Sequence, residues 1–302
     1  MKVLITGGTG LIGTGLILKL QQLGVKDITV LTRNVTNARR LLGDKIHLLT
    51  ELNVSYVDGQ DVIINLQGEP IANKRWSAQQ KSNICQSRLI ITEQLATLIQ
   101  QSKNPPSTFI SGSAIGYYGR QNNHQVTEKN THPHDEFTHQ LCNEWEQSAL
   151  LAQSKTRVVN LRTGIVLDKD KGALSQMAMP FKLRVGGYLG NGQQYISWIH
   201  IDDMVSAIMH IINNPTLSGP VNMTAPTAVK NKQFNQILAT ALGRSSWLKT
   251  PAIIIKILFG EMADLFIYGQ NVVPKSLLDS GFTFTYPELP EALNDLLNRK
   301  GE

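Results

Sequence analysis

The chain has 302 residues, 41% hydrophobic and 17% charged, which is the composition of a soluble globular enzyme of one large domain or of a domain with an appendage. No run reaches the ~18 uninterrupted apolar residues of a membrane-spanning helix, and the most apolar stretch, 252–259, is short and holds Lys256. Net charge is +6, but the Lys and Arg residues are scattered with no run of five, so an anionic small ligand is expected and nucleic acid is not.

Two cysteines, Cys85 and Cys142, show no paired spacing, and the first apolar residues already belong to a strand rather than a leader. Both features predict a reduced, cytoplasmic setting. That first strand is 3–6. Gly7-Gly8-Thr9-Gly10-Leu11-Ile12-Gly13 follows, then a helix over 11–23 with Leu16, Ile17, Leu20 and Leu23 on one side. Strand, glycine turn and helix in this order predict a dinucleotide site. Gly7 serves a tight turn, Gly10 leaves bare backbone for a pyrophosphate, and Gly13 allows close helix–strand packing. Thr9, Leu11 and Ile12 share the turn. The helix start adds free N–H groups and a positive dipole end.

Further strands are predicted at 28–31, 46–49, 62–66, 108–111 and 158–162, with helices at 36–42, 78–101 and 136–153. Short apolar strands separated by helices predict an α/β fold, a doubly wound parallel sheet. Beyond residue 162 the pattern loosens into a glycine-rich stretch at 186–192. Helices are expected at 202–213 and 231–242, then helical pieces over 251–297 with a turn at Gly281. Residues 195–204 read as a strand feeding a helix capped by Asp202 or Asp203. The amphipathic run 253–259 suits either a partner-facing surface or the core, and core packing is the expectation.

The second strand ends Leu31-Thr32-Arg33-Asn34. An NAD site usually places an acid here for the ribose 2′-hydroxyl. Arg33 suits the 2′-phosphate of NADP instead, because a guanidinium matches phosphate geometry. Thr32 adjoins it, and Arg39 and Arg40 are expected to add charge. NADP(H) is the predicted cofactor, with no metal.

Several motifs together resemble the extended short-chain dehydrogenase/reductase family, in an atypical branch of sugar-nucleotide epimerase-like proteins. They are residues 6–13, Asn65-Leu66-Gln67-Gly68-Glu69-Pro70, Lys74-Arg75-Trp76, residues 111–119, residues 136–139, Arg162-Thr163-Gly164, residues 197–204, and a tail from Gly269 to Phe282. The resemblance implies a Rossmann domain over 1–225, with substrate-domain insertions near 170–200, and a smaller, interleaved C-terminal substrate domain over 245–297. It places Leu66, Gln67 and Gly68 at the cofactor, Arg88 facing it and Val166 at its nicotinamide end. It expects a small residue where Gln67 stands and a basic one where Asn271 stands. It implies a small-molecule substrate, with a nucleotide-linked sugar in view, and allows a homodimer; neither nucleic acid nor membrane is an expected partner.

Members of the wider family carry Ser or Thr after the fifth strand and Tyr-x-x-x-Lys on the next helix. The serine polarises the substrate oxygen, the tyrosine passes a proton, and the lysine assists it. Ser113 stands at the serine position. Aligned on Glu146, the tyrosine and lysine positions hold Thr138 and Cys142. Candidates for the missing proton chemistry are Tyr117 or Tyr118 on the same loop, the histidines His139 and His200, and Glu69 on the loop after the fourth strand, where Lys74 or Arg75 suits an anionic substrate. Two functions remain open: an NADP(H)-dependent oxidoreductase or epimerase-like enzyme, and a non-catalytic NADP(H)-binding sensor.

Overall fold

A computed structural model describes residues 1–121, 123–130 and 132–298. In chain order its elements begin β1 (Lys2–Thr6), α1 (Leu11–Gln22), β2 (Asp27–Leu31), α2 (Val35–Leu42), β3 (His47–Leu49), α3 (Val54–Val57), β4 (Val62–Asn65), α4 (Ala78–Gln101) and β5 (Thr108–Ala114). A 3₁₀ turn at Ile115–Tyr118 leads to β6 (Gln125–Val126), α5 (Phe137–Leu150), β7 (Arg157–Thr163), β8 (Ile165–Leu167), α6 (Ala173–Lys182), β9 (Gly187–Leu189), β10 (Tyr195–Ile196) and β11 (Trp198–His200). Then come α7 (Ile201–Asn213), β12 (Gly219–Met223), β13 (Val229–Lys230), α8 (Asn231–Ala241), β14 (Leu248–Thr250) and α9 (Ala252–Phe259). A 3₁₀ turn at Gly260–Ala263, α10 (Asp264–Ile267), β15 (Asn271–Val272), α11 (Lys275–Asp279) and α12 (Leu289–Asn298) close the order.

Seven strands form one parallel sheet in the order β12-β7-β5-β4-β1-β2-β3. The period of two along each strand divides the apolar residues between two faces. Val3, Ile5, Ile28, Val30, Val62, Ile64, Val159 and Leu161 face α1 and α7, with Leu16, Ile17, Leu20, Val205 and Ile208 packed on them. Leu4, Ile63, Phe109 and Val158 face α3, α4 and α5, against Val57, Ile91, Leu95, Ile99 and Ala149. This is the doubly wound sheet that the alternating pattern predicts.

Six sheet strands are legible in the sequence; the seventh, β12, is not. Its Gly219-Pro220 start reads as a turn, yet an edge strand that pairs only with β7 tolerates proline. Three short pairings build the second lobe: β8 with β11, β9 with β14, and β10 with β13. The tail pairs back on an earlier segment, where β15 lies parallel to β6 in a separate two-stranded sheet. The expected core packing of 253–259 is met only at Ile255, while Ile253, Ile254, Ile257 and Leu258 are exposed. Apolar residues at nearly every position of the run left open which side would face inward.

Gly13 is the tightest joint of the first βα unit. A Cβ there would stand 2.4 Å from the Gly7 carbonyl oxygen and 2.7 Å from the Gly8 Cα, all rigid backbone. Gly13→Ala is expected to cost about 1–3 kcal/mol in urea unfolding without ligand. An unchanged midpoint would contradict this packing.

Candidate functional site: a glycine turn beside a buried Glu–Arg network

The glycine turn lies at the carboxyl end of β1, between the carboxyl ends of β2 and β4. Gly7 has φ +70° and approaches β4 so closely that a Cβ would meet the Leu66 carbonyl at 2.6 Å. Gly10 caps α1 without a side-chain bond, which leaves the first-turn N–H groups free to receive an anion. A Cβ on Gly10 would touch only the Gly7 carbonyl, at 3.2 Å, so its outer side is open.

Thr32 accepts a hydrogen bond from the Asn34 N–H, and Asn34 caps α2 by accepting from Asn37. Arg33 between them is exposed and has no hydrogen-bond or ion-pair partner among the described residues. The expected charge from Arg39 is redirected. Its guanidinium donates to the carbonyls of Gly43, Asp44 and Ile46, closing the end of α2. Arg40 donates to the Asn37 side chain.

At the end of β4, Leu66 and Gln67 are half-buried, and the Gln67 N–H is 3.4 Å from Asn65 Oδ1. Gly68 lies over Arg88, where a Cβ would meet the guanidinium carbon at 2.9 Å. Arg88 donates to the Glu69 and Ile84 carbonyls and stacks over Trp145 at 5.1 Å. Burial pulls its pKa down against the raising influence of Cys142, Cys85 and Glu69. Arg88 therefore fastens the 66–69 loop to α4. Glu69 is half-buried, and its N–H donates to Ser87. Trp76 donates to the Ile71 carbonyl and meets the Phe137 ring edge-on, while Lys74 and Arg75 are exposed. Val166, half-buried on β8, pairs with Ile199.

Ser113 is buried on β5 and its hydroxyl donates to Glu146 on α5, at 2.7 Å. Both Glu146 oxygens accept from Arg162 on β7, at 2.8 and 2.9 Å. Arg162 also donates to the Tyr118 hydroxyl, which donates to Asn222 on β12. Burial pushes the Tyr118 phenol up to about 12, which keeps it a donor. The Tyr117 ring lies on the other side of the same guanidinium, 3.4 Å from its carbon. His139 meets that ring edge-on, and its Nδ1 is 2.5 Å from the Tyr117 carbonyl. A carbonyl only accepts, so Nδ1 carries the hydrogen and Nε2 is the bare nitrogen of the neutral ring. Ser113, Tyr117 and His139 thus come together around Arg162.

Thr138 and Cys142 are sealed beneath the 3₁₀ turn. A Cβ on Gly116 would meet the Thr138 Cβ at 3.1 Å and the Cys142 sulfur at 3.5 Å. Burial pushes the Cys142 thiol up to about 12, so it is no nucleophile. Glu146 and Arg162 are the members of the site that motif reading missed. The one available signal was Arg162, a charge near the end of a strand that reads as buried in the sheet; Glu146, among the polar residues of α5, carried none.

His200 does not join this group. It is fully buried, and its Nδ1 accepts from the Asp202 N–H, so His200 itself caps α7. This corrects the expected aspartate cap; Asp203 instead accepts from the backbone N–H groups of Thr285 and Tyr286. His200 Nε2 donates to Asp295 on α12, and the ring stacks on Tyr286. Both nitrogens serve the scaffold.

A doubly wound sheet with a glycine turn and a hydroxyl-bearing fifth strand defines a nucleotide-binding Rossmann protein. Comparison with known proteins sharpens this. Residues 3–223 match the NAD dependent epimerase/dehydratase family, and residues 250–296 match a domain of unknown function, DUF1731. The chain belongs to that epimerase/dehydratase family. It is 39% identical to the epimerase family protein SH2119 of Staphylococcus haemolyticus over 299 residues, covering 98% of this chain and 99% of that protein. The crystal structure of the human epimerase family protein SDR39U1 with NADPH superposes at a TM-score of 0.89, with 30% identity over 99% of this chain and 100% of that one. A nucleoside-diphosphate sugar epimerase from Corynebacterium glutamicum superposes at 0.79, with 28% identity over 98% of this chain and 58% of that one.

The His200 cap carries a pH signature. Burial holds its pKa below the ordinary 6.5, against the raising influence of Asp202, Asp295 and Asp203. The folded chain keeps the ring neutral where the unfolded chain takes up a proton. Stability is therefore full above about pH 6.5 and falls as the pH drops toward the lowered folded value. The unfolding midpoint should decline between pH 7 and 5, less steeply in His200→Asn, which keeps a capping side chain. Equal slopes would contradict the assignment.

Proposed function

We propose that the chain is an NADP(H)-binding oxidoreductase or epimerase-like enzyme acting on a small polar substrate. The observation that carries the cofactor reading is Arg33, an exposed cation without a partner among the described residues, at the carboxyl end of β2, where a 2′-phosphate is recognised. The glycine turn fits the same ligand, since free N–H groups and an open Gly10 suit a pyrophosphate. In this reading Gly7, Thr9, Gly10, Leu11, Ile12 and Gly13 hold the phosphates and Thr32 and Arg33 the adenosine ribose. Leu66, Gln67 and Gly68 border the cofactor, Arg88 holds their loop, and Val166 lies toward the nicotinamide. When bound, the nicotinamide supplies hydride transfer. The human relative crystallised with NADPH supports the choice of cofactor.

The protein's own task is to orient the substrate and move its proton. Ser113 gives its hydrogen to Glu146, so its free lone pair accepts from a substrate hydroxyl. The Tyr117 hydroxyl has no hydrogen-bond partner among the described residues and can donate. His139 Nε2 is placed to take a proton. Glu69, half-buried on the loop after β4, is the further candidate for moving a proton. The similarity to a nucleoside-diphosphate sugar epimerase supports a nucleotide-linked sugar as substrate class.

One observation favours the sensor reading. Thr138 and Cys142 stand where the resemblance expects the proton-transfer pair, and both are sealed under Gly116. A substrate screen separates the two. NADPH consumption with a carbonyl or sugar-nucleotide panel, abolished in Ser113→Ala, supports the enzyme; tight NADPH binding with no turnover supports the sensor.

Arg33→Ala should lower the preference for NADPH over NADH by about ten- to hundredfold in equilibrium titration, equivalent to about 1.5–3 kcal/mol for a charge-assisted contact. An unchanged ratio would remove Arg33 from the site.

A further inference from the structure

Helix α9 presents its apolar face to solvent. Ile253, Ile254, Ile257 and Leu258 are 64%, 44%, 68% and 57% exposed. Their spacing of i, i+1, i+4 and i+5 sets them on one side of the helix. Ile255 points inward, and Phe259 packs on Phe266. A second apolar group, Leu183, Val185 and Trp247, lies at the other end of β14. It is held together by the Trp247 N–H groups, which donate to the carbonyls of Gly186 and Arg184. The three residues of β14 span about 10 Å between the two groups.

The segments that carry these groups hold charge of one sign. No Asp or Glu occurs from 204 to 260. Lys182, Arg184, Arg244, Lys249 and Lys256 are all exposed. The first acids beyond the helix are turned aside, Glu261 into an ion pair with Lys81 and Asp264 into one with Arg120.

We propose that this face rests on an anionic lipid bilayer. Branched aliphatic side chains on a surface-lying helix, an exposed tryptophan and flanking cations are what the headgroup region of such a bilayer receives. Such a contact needs no spanning helix, and none among the described residues is long and apolar enough to cross a membrane. A second copy fits less well. A two-fold contact through α9 would set Lys256 and Lys249 against their own copies.

The test is flotation of the full chain with vesicles of phosphatidylcholine alone and of phosphatidylcholine with phosphatidylglycerol. Binding is expected only to the anionic vesicles and should weaken with salt. Ile257→Asp, at a site already in water, should lower the bound fraction at least about tenfold, and Lys249→Glu with Lys256→Glu should do the same. NADPH affinity should not change in these variants, which separates this contact from the proposed cofactor site. Trp247 fluorescence should shift to shorter wavelength on the vesicles, and Trp247→Phe should remove the shift. Absence of binding to anionic vesicles, or equal binding by Ile257→Asp, would overturn the proposal. So would a concentration-dependent dimer lost in Ile257→Asp, or retention on polyglutamate, if vesicles were not bound.

Discussion

Glu146 and Arg162 are both nearly excluded from water and meet through two hydrogen bonds. Removing either partner would strand a buried charge, so each fixes the other's position. The pair joins α5 to β7 across the carboxyl end of the sheet. Ser113 donates to the same Glu146 oxygen that takes the Arg162 Nε–H, and Arg162 also donates to Tyr118, so each buried charge has a further hydrogen bond beyond the pair itself. From Tyr118 the chain of bonds runs to Asn222 on β12, which donates to the Val273 carbonyl of the tail. Glu128 accepts from the backbone of both Asn222 and Ser276. One buried ion pair thus connects the sheet, the helix behind it and the returning tail.

That network also decides what chemistry the site can offer. Ser113 is turned toward Glu146, the Tyr117 ring lies against the Arg162 guanidinium, and His139 is fixed by the Tyr117 carbonyl. The 3₁₀ turn fills the space above Thr138 and Cys142, which leaves Tyr117 and His139 as the proton-bearing groups grouped with Ser113. The glycine turn of β1 is independent of this arrangement. Its conformation follows from Gly7 and Gly13 and their contacts with β4 and the first turn of α1.

The sheet and its glycine turn were legible because they rest on local signals: runs of β-branched residues, a glycine spacing and a helix period. Where interactions join distant segments, the sequence was silent. The edge strand β12 hides behind Gly219-Pro220 and is defined only by pairing with β7. His200 reads as a candidate base, but its contacts with Asp295 and Tyr286, far along the chain, make it a scaffold residue. Arg39 looked like cofactor charge, and three carbonyls at the end of its helix claim it. Exposure was equally hidden: the apolar run of α9 looks like core until the tertiary structure leaves it at the surface.

The role of the ion pair as the joint of the site is tested most directly by a double-mutant cycle in urea unfolding. Glu146→Leu and Arg162→Met should each cost about 3–5 kcal/mol, because each leaves an unpaired buried charge. The double variant should cost no more than either single one, since no charge is then stranded. Strictly additive losses would contradict the account.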